Sequence, residues 1–427
     1  MVEAKRQCEN AALGRLGGAL LAVGYAVTDV RQDLNRIASV SGRSDLAIQV
    51  QPNMVFIDDP HLGQTRMTLA PSSAFTLQQI GEVGSLASRT VQGTILLADV
   101  PPHLDAIEAK AKRTPLLMAM VGGAMVSGAI TVIFASPWWA VVVSAVLGLL
   151  IGALLSRVSP AWQTNGMVAF ALALAVTLLI WTAATVIGVH DLPTFALCGP
   201  LVILVPGMLV TNAVLEISGG DPISGGGRLV SGLLVWAMLA AGILVGVHLV
   251  GGRISANSLI LNTGTFESQH SLGLWASIPP VWARWIAVFF IAAGFALSYL
   301  STVRMFLAMT LTLYFSYAVL NLVEPAVGSV IAGGISAALT LFISRIAIGV
   351  GASWPSIVLF RPAFYMLVPG SLGLVTVLSV ASQTAPPNAS LSVLAAVISL
   401  TIGIQVGAMT AQITQPLIAR IKNRQKK

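Results

Sequence analysis

The chain has 427 residues, of which 56% are hydrophobic and only 9% are charged, with a net charge of +7. Soluble domains usually carry about 25% charged residues, so this composition excludes an ordinary soluble domain and predicts a protein in contact with lipid. Five positive charges stand in the last eight residues, which hold no acid. We interpret them as a membrane-topology signal and expect no nucleic acid as a partner. The two cysteines, Cys8 and Cys198, have no metal-ligand or disulfide spacing, so we expect no metal and no cofactor.

Residues 1–113 are predicted to form a cytosolic α+β domain. Apolar residues recur at helical spacing from Leu20 to Ile37. Alternating residues predict a hairpin over 46–57, with "TRMTLAP" as a third strand and two closing helices. The first residues also resemble a secretory signal peptide, but charged residues interrupt their apolar run, which favours an amphipathic helix.

After this domain the chain holds ten apolar runs, each near the roughly 20 residues that a helix needs to span a bilayer. The predicted spans are 115–135, 138–156, 166–188, 195–216, 229–250, 285–303, 305–323, 326–348, 356–381 and 390–415. The first five spans form one membrane repeat, 114–250, and the last five form a second, 285–415. An outer segment, 251–284, connects the repeats, and a basic cytosolic tail, 416–427, follows.

The basic residues between the spans predict the orientation. With the N-terminal domain in the cytosol, the outer loops carry only Arg253 and Arg284, whereas the inner segments and the tail carry most of the other Lys and Arg residues. Because cytosolic loops are enriched in Lys and Arg, both termini are predicted to be cytosolic.

Two motifs recur between the halves. The letters "LVPG" occupy 204–207 and 367–370, in the fourth span of each half and 163 residues apart (369 − 206). In the fifth spans, a Gly-x-x-x-Gly motif starts at Gly242 and again at Gly403, 161 residues apart (403 − 242). Because five is odd, the second half must enter the membrane in the opposite orientation. We therefore predict an α-helical polytopic membrane protein with ten transmembrane helices as a 5+5 inverted repeat, whose paired broken helices are typical of secondary transporters.

Three segments resemble the threonine/serine exporter family: "DVRQDLNRIASVSGRSDLAIQVQPNMVFI" in the N-terminal domain, "LVPGMLVTNAVLEISGGDPISGGGRLV" in the first repeat and "MLVPGSLG" in the second. The resemblance covers nearly the whole chain. It implies export of threonine and serine across a bacterial inner membrane, driven by the proton motive force. Protons would then be the coupling ion, and the protein would be a transporter rather than an enzyme.

The two breaks predict a substrate site. Proline and glycine leave backbone groups without helical hydrogen-bond partners, and such groups are costly in lipid unless they face protein, water or substrate. The N-terminus of the half-helix that follows a break also favours binding of a carboxylate. The predicted substrate-binding residues are the broken positions and the polar residues beside them: Pro206, Gly207, Thr211, Asn212, Pro369, Gly370 and Ser371. A structural kink without a binding role is the alternative.

Three charged residues are predicted to act in gating or coupling. Glu216 follows Pro206 and Arg361 precedes Pro369, which places both on the inner side of the breaks, and we predict coupling between them near an inner gate. Separate snorkelling of each side chain to the inner interface is the alternative. Asp221 lies in the glycine-rich "SGGDPISGGG", which indicates a flexible inner loop.

Two other functions stay open at the level of sequence. A passive channel or facilitator for small solutes would share the fold, but its flux would be insensitive to uncouplers. A membrane-anchored hydrolase would have its site in the N-terminal domain, where His61 and His103 have no companions at metal-ligand spacing. A homo-oligomer is compatible with the sequence.

Overall fold

The computed structural model describes most of the chain. The described residues are 2–71, 75–110, 114–158, 165–188, 191–192, 194–250, 253–254, 275, 277–350, 356–367 and 389–425. Pro369, Gly370 and Ser371, which the sequence assigns to the second break, lie outside these ranges.

Up to residue 110, helices flank a three-stranded antiparallel sheet in the order β1-β2-β3. The elements are α1 (Val2–Ala22), α2 (Val27–Val40), β1 (Ala47–Gln51), β2 (Met54–Asp59), β3 (Gln64–Leu69), α3 (Leu77–Val91) and α4 (Val100–Glu108). The predicted hairpin is confirmed, since Gln51 pairs with Met54 across the turn. The predicted third strand is β3, which pairs with β2.

Local sequence accounts for these elements. Helix α2 buries residues three or four apart, including Val27, Val30 and Leu34, so one apolar stripe faces the core. Strand β1 alternates between exposed and buried residues along its length. Helix α3 begins with a capping box in which Thr76 and Gln79 exchange hydrogen bonds between side chain and backbone.

Beyond residue 114 the described elements are helices, apart from two short parallel strands, β4 (Asp191–Leu192) and β5 (Arg253–Ile254). The helices are α5 (Leu116–Ile133), α6 (Trp138–Arg157), α7 (Gly166–Ile187), α8 (Thr194–Leu201), α9 (Gly207–Ser218), α10 (Pro222–Leu249), α11 (Val281–Ser298), α12 (Val303–Val327), α13 (Ser329–Val350), α14 (Ser356–Leu367) and α15 (Ala389–Gln425).

The described residues contain seven helices long and apolar enough to cross a membrane, or eight spans if the bent pair α8 and α9 counts as one. The sixth and seventh predicted spans are separate helices, α11 and α12. The last two predicted spans fall on α14, on residues outside the described ranges and on α15, which continues into the predicted basic tail. The number ten therefore stays a prediction.

The expectation of a flexible inner loop after α9 is wrong. Helix α10 begins at Pro222, and the glycines that follow are helical. Asp221 is the N-cap of this helix, because its Oδ1 accepts a hydrogen bond from the Ser224 N–H at 3.1 Å. Proline suits the first helical position, where no donor is needed. A cap and a proline thus outweigh the low helix propensity of the glycines.

Glycines allow the membrane helices to approach closely. Gly242 of α10 lies against the backbone of α7, and Gly403 of α15 lies against Gly334 of α13. Helices α5 and α11 meet at Gly122 and Gly294, where a Cβ atom on either residue would lie 2.7 Å from the carbonyl oxygen of the other. Small residues at such positions bring helix backbones together in a membrane.

Candidate functional site at the broken helix

The span predicted over 195–216 is broken near its centre. A 3₁₀ turn, Val202–Leu204, follows α8, and α9 starts at Gly207 with no side chain capping its N-terminus. The two helices are bent by 63°. Pro206 has no N–H to donate, and the Gly207 N–H donates to the Val205 carbonyl at 2.8 Å. The Pro-Gly pair therefore interrupts this helix.

Helix α14, which leads into the second "LVPG", packs on this break. The Tyr365 hydroxyl donates to the Val205 carbonyl at 3.2 Å. A Cβ atom on Gly207 would lie 2.6 Å from the ring of Phe364, so only glycine leaves room for that ring. The break in the first half thus contacts the helix that precedes the second motif.

Both polar side chains predicted to bind substrate on α9 are buried. Thr211 and Asn212 are each 1% exposed. The Asn212 Nδ2 donates to the Gly24 carbonyl at 3.0 Å. Gly24 lies between α1 and α2, so the N-terminal domain holds this amide in the structure.

Glu216 lies on the same helix, and its side chain is fully buried. Its Oε1 accepts a hydrogen bond from the Val27 N–H at 3.0 Å. Its Oε2 lies 3.2 Å from the Arg228 Nε, an ion-pair contact that lacks hydrogen-bond alignment. Glu216 is therefore compensated by the N-terminal domain and by α10 together.

The N-terminal domain meets both halves of the membrane part through residues 24–29, which are the turn before α2 and the first three residues of that helix and are here called the docking loop. Asp29 lies 3.0 Å from the Arg345 Nη2 on α13. A Cβ atom on Gly219, at the end of α9, would lie 2.6 Å from the Thr28 methyl carbon. The docking loop thus spans from α9 in the first half to α13 in the second.

A titratable residue stands just beyond the docking loop. Asp33 lies four residues after Asp29 on α2. Burial, with the negative charge of Asp29 in addition, raises the pKa of Asp33 to about 6. Asp33 therefore binds its proton more tightly than an exposed aspartate does, on the same helix as Asp29 of the ion pair with Arg345.

The predicted pair of Glu216 and Arg361 is not formed. Glu216 is held by Arg228 instead, because the turn at Asp221 folds α10 back along α9. The Arg361 Nη2 donates to the Tyr299 hydroxyl at 3.0 Å, and its guanidinium carbon lies 4.6 Å from the centre of the Tyr299 ring. The two charges therefore belong to different clusters.

Several residues at these contacts were not singled out by sequence. Arg228 and Arg345 counted only as topology signals, although each is an isolated charge beside or within an apolar run, and such charges are functional candidates. Asp29 and the two tyrosines, Tyr299 and Tyr365, carry no local pattern that marks them. Their partners come from distant segments, so spacing alone does not find them.

Within the described part of the chain, seven or eight helical segments are long and apolar enough to cross a membrane, which makes this a multi-pass membrane protein. The family model described as "Putative threonine/serine exporter" matches residues 11–250, more than half of the chain. The chain therefore belongs to the threonine/serine exporter family, which confirms the resemblance of the two motifs within that range; the third motif, "MLVPGSLG", lies beyond it. No curated protein and no solved structure matches it.

Proposed function

We propose that the chain is a secondary transporter that exports threonine and serine across the bacterial inner membrane, coupled to the proton motive force. Family membership supports the substrate class. The observation that carries the mechanism is the uncapped start of α9 in the middle of a predicted span, in contact with α14. Substrate sites of secondary transporters lie between such broken helices near the bilayer midplane.

Matching contacts support the inverted repeat. Gly242 of α10 packs beside Ala173 of α7, and Gly403 of α15 packs on Gly334 of α13. Both pairs are 69 residues apart (242 − 173 and 403 − 334). The same separation returns one turn later in two pairs, Gly246 with Thr177 and Gly407 with Ala338. The third and fifth helices of each half are thus parallel, in one shared register.

The first helices of the two halves support opposite orientations. Gly122 lies against Ser298 and Gly294, whereas Val126, one turn further along α5, lies against Gly294. Residue numbers rise along α5 as they fall along α11, so the helices are antiparallel at this contact. Equivalent helices that meet in this way are expected around a two-fold axis in the membrane plane.

The substrate would lie between the two breaks. Its proposed contacts are those expected from sequence, with the residues of the second break included: Pro206, Gly207, Thr211, Asn212, Pro369, Gly370 and Ser371. Because the Gly207 N–H is used within the turn, the amides that follow it in the first turn of α9 are the donors for a carboxylate. A hydroxyl on the substrate would gain a polar partner that an alanine-like side chain lacks.

The docking loop would close the inner end of this path. It holds Asn212 and Glu216 on α9 and Arg345 on α13, so it must separate from one of these helices for substrate to enter from the cytosol. Glu216 is the proposed coupling residue. A proton on its carboxylate would weaken both the bond from the Val27 N–H and the attraction of Arg228, and would favour undocking.

The test is export from dipeptide-loaded cells with and without the protein. We expect threonine and serine to leave faster from cells that contain the protein. A protonophore should abolish this difference in efflux rate. If the protein still speeds efflux to the same extent when a protonophore is present, the passive facilitator would be favoured. Equal efflux of threonine and serine from both cell populations would contradict the proposed substrates.

A further inference from the structure

We propose that Arg361 binds the carboxylate of the exported amino acid. This inference rests on the proposed function and names a substrate contact that the sequence did not suggest, since sequence placed Arg361 at a gate. Three features of the structure support it: the position of the arginine beside the break, the shortage of a counter-charge, and the aromatic frame that holds the guanidinium.

Arg361 stands one helical turn before Tyr365 on α14. Tyr365 interacts with the guanidinium and donates its own hydroxyl proton to the Val205 carbonyl at the break. A short polar chain thus leads from the arginine through one tyrosine to the Val205 carbonyl, which stands immediately before Pro206 at the break. The positive charge therefore lies next to the interrupted backbone where the substrate is proposed to sit.

Among the residues that the structure describes, no acid forms an ion pair with this arginine, whose partners are Tyr299 and Tyr365. Glu324 is the only Asp or Glu after Glu267 in the sequence, and it lies near the far end of α12, about 30 Å along the helix from its start. Glu216 is held by Arg228. The Nε atom of Arg361 is buried and has no hydrogen-bond partner. A cation at this depth is costly unless an anion accompanies it.

The aromatic side chains hold the guanidinium without neutralising it. Phe295 stacks on Tyr299 at 6.1 Å and on Tyr365 at 5.3 Å between ring centres, so three rings form one packed frame. The face of Tyr299 attracts the cation, and its hydroxyl accepts one donor. A guanidinium has five donors in a fixed plane, which leaves some of them for a planar carboxylate.

The chemistry defines the ligand class. Arginine binds carboxylates through two parallel hydrogen bonds, which a neutral amide group cannot match. The ligand is therefore a small carboxylate, and for the proposed substrates it is the α-carboxylate of threonine or serine. The hydroxyl and amino groups would be recognised by other residues, so loss of the arginine should affect recognition of the carboxylate alone.

The test measures binding of labelled L-threonine to the full-length protein in lipid nanodiscs, with three competitors. These are L-serine, L-threonine amide, which lacks the carboxylate charge, and 3-hydroxybutyrate, which lacks the amine. We expect wild type to prefer threonine over its amide by about tenfold or more. Arg361→Gln should weaken threonine binding by a similar factor and reduce this preference to what the amides of α9 alone provide, while the Tm of the ligand-free protein is kept or raised.

The matched control is Arg304→Gln, which removes an exposed arginine at the start of α12 and should leave binding unchanged. Arg361→Gln that keeps the preference for threonine over its amide would overturn the proposal. If that variant does not insert, equal binding of threonine and its amide by wild type would overturn it as well. If wild type binds no threonine, labelled 3-hydroxybutyrate is tested directly, and its binding would contradict the proposed function and still support the arginine.

Discussion

A buried carboxylate needs compensating partners, and Glu216 has two from different parts of the chain. The Val27 N–H and the Arg228 guanidinium approach opposite oxygens of the same group. Removing one member of a buried pair leaves the other charge uncompensated, and that usually costs more than removing both. Single and double substitutions can therefore test whether Glu216 and Arg228 stabilise the fold as a pair.

We expect Glu216→Gln and Arg228→Gln each to lower the Tm of the purified protein, and the double variant to lose less than the sum of the two. The measurement is thermal unfolding in detergent, with Glu324→Gln as the control for losing a carboxylate elsewhere. Strictly additive losses would mean that Glu216 and Arg228 act independently.

A second residue prediction concerns Asp33 and pH. Burial and the charge of Asp29 raise its pKa to about 6, above the ordinary value of about 3.9. The folded state therefore binds this proton more tightly than the unfolded state, so the contribution of Asp33 to stability falls as the pH rises from about 4 to about 6 and is constant above that.

Asp33→Asn should therefore raise the Tm at pH 7 relative to wild type, with a smaller gain at pH 5. Thermal unfolding at the two pH values measures this difference. Asp58→Asn, which changes an exposed carboxylate of the same domain, is the control and should show no such gain. A gain in Tm from Asp33→Asn that is equal at both pH values would contradict a raised pKa of Asp33.

At the scale of elements, two helix pairs share one contact pattern. A Cβ atom on Gly242 would meet the carbonyl oxygen of Phe170, and one on Gly403 would meet that of Gly334. Other glycines of the same helix pairs face open space, including Gly226. The close contacts therefore depend on where each glycine stands rather than on glycine content.

We expect Gly242→Ala and Gly403→Ala to lower the Tm by similar amounts, because each forces a pair of helices apart. Gly226→Ala and Gly333→Ala are the controls; both sites have no atom within 4 Å of the added carbon, and alanine is the better helix former by about 1 kcal/mol. Thermal unfolding of the four variants measures these changes in Tm. A loss at only one of the two close contacts would contradict equivalent interfaces in the two halves.

At the scale of the whole molecule, sequence patterns could predict the parts but not how they meet. Alternation and helical spacing predict the hairpin and α2, and the Pro206-Gly207 pair predicts the break, because these signals are local. The bond between Val27 and Glu216 joins residues 189 positions apart, and no periodicity encodes such a contact. The start of α10 was missed because its glycines resemble a loop, whereas the cap at Asp221 and the following proline favour a helix.

The proposed topology can be tested on the intact molecule. With ten spans and a cytosolic N-terminus, a cysteine at Ser382 should react with an impermeant thiol reagent added outside the cell, and one at Arg424 should react only after the membrane is opened. Both are introduced into a background in which Cys8 and Cys198 are replaced by serine. Labelling at Arg424 in intact cells would contradict the ten-span arrangement.

The central claim is that this protein moves threonine and serine against a gradient at the expense of a proton gradient. The direct measurement is threonine movement in vesicles that contain only the purified protein, under an imposed pH difference. We predict that threonine accumulates beyond equal concentration in the direction opposite to proton flow, and that a protonophore abolishes the accumulation. Movement that stops at equal concentration with the pH difference intact would contradict the claim.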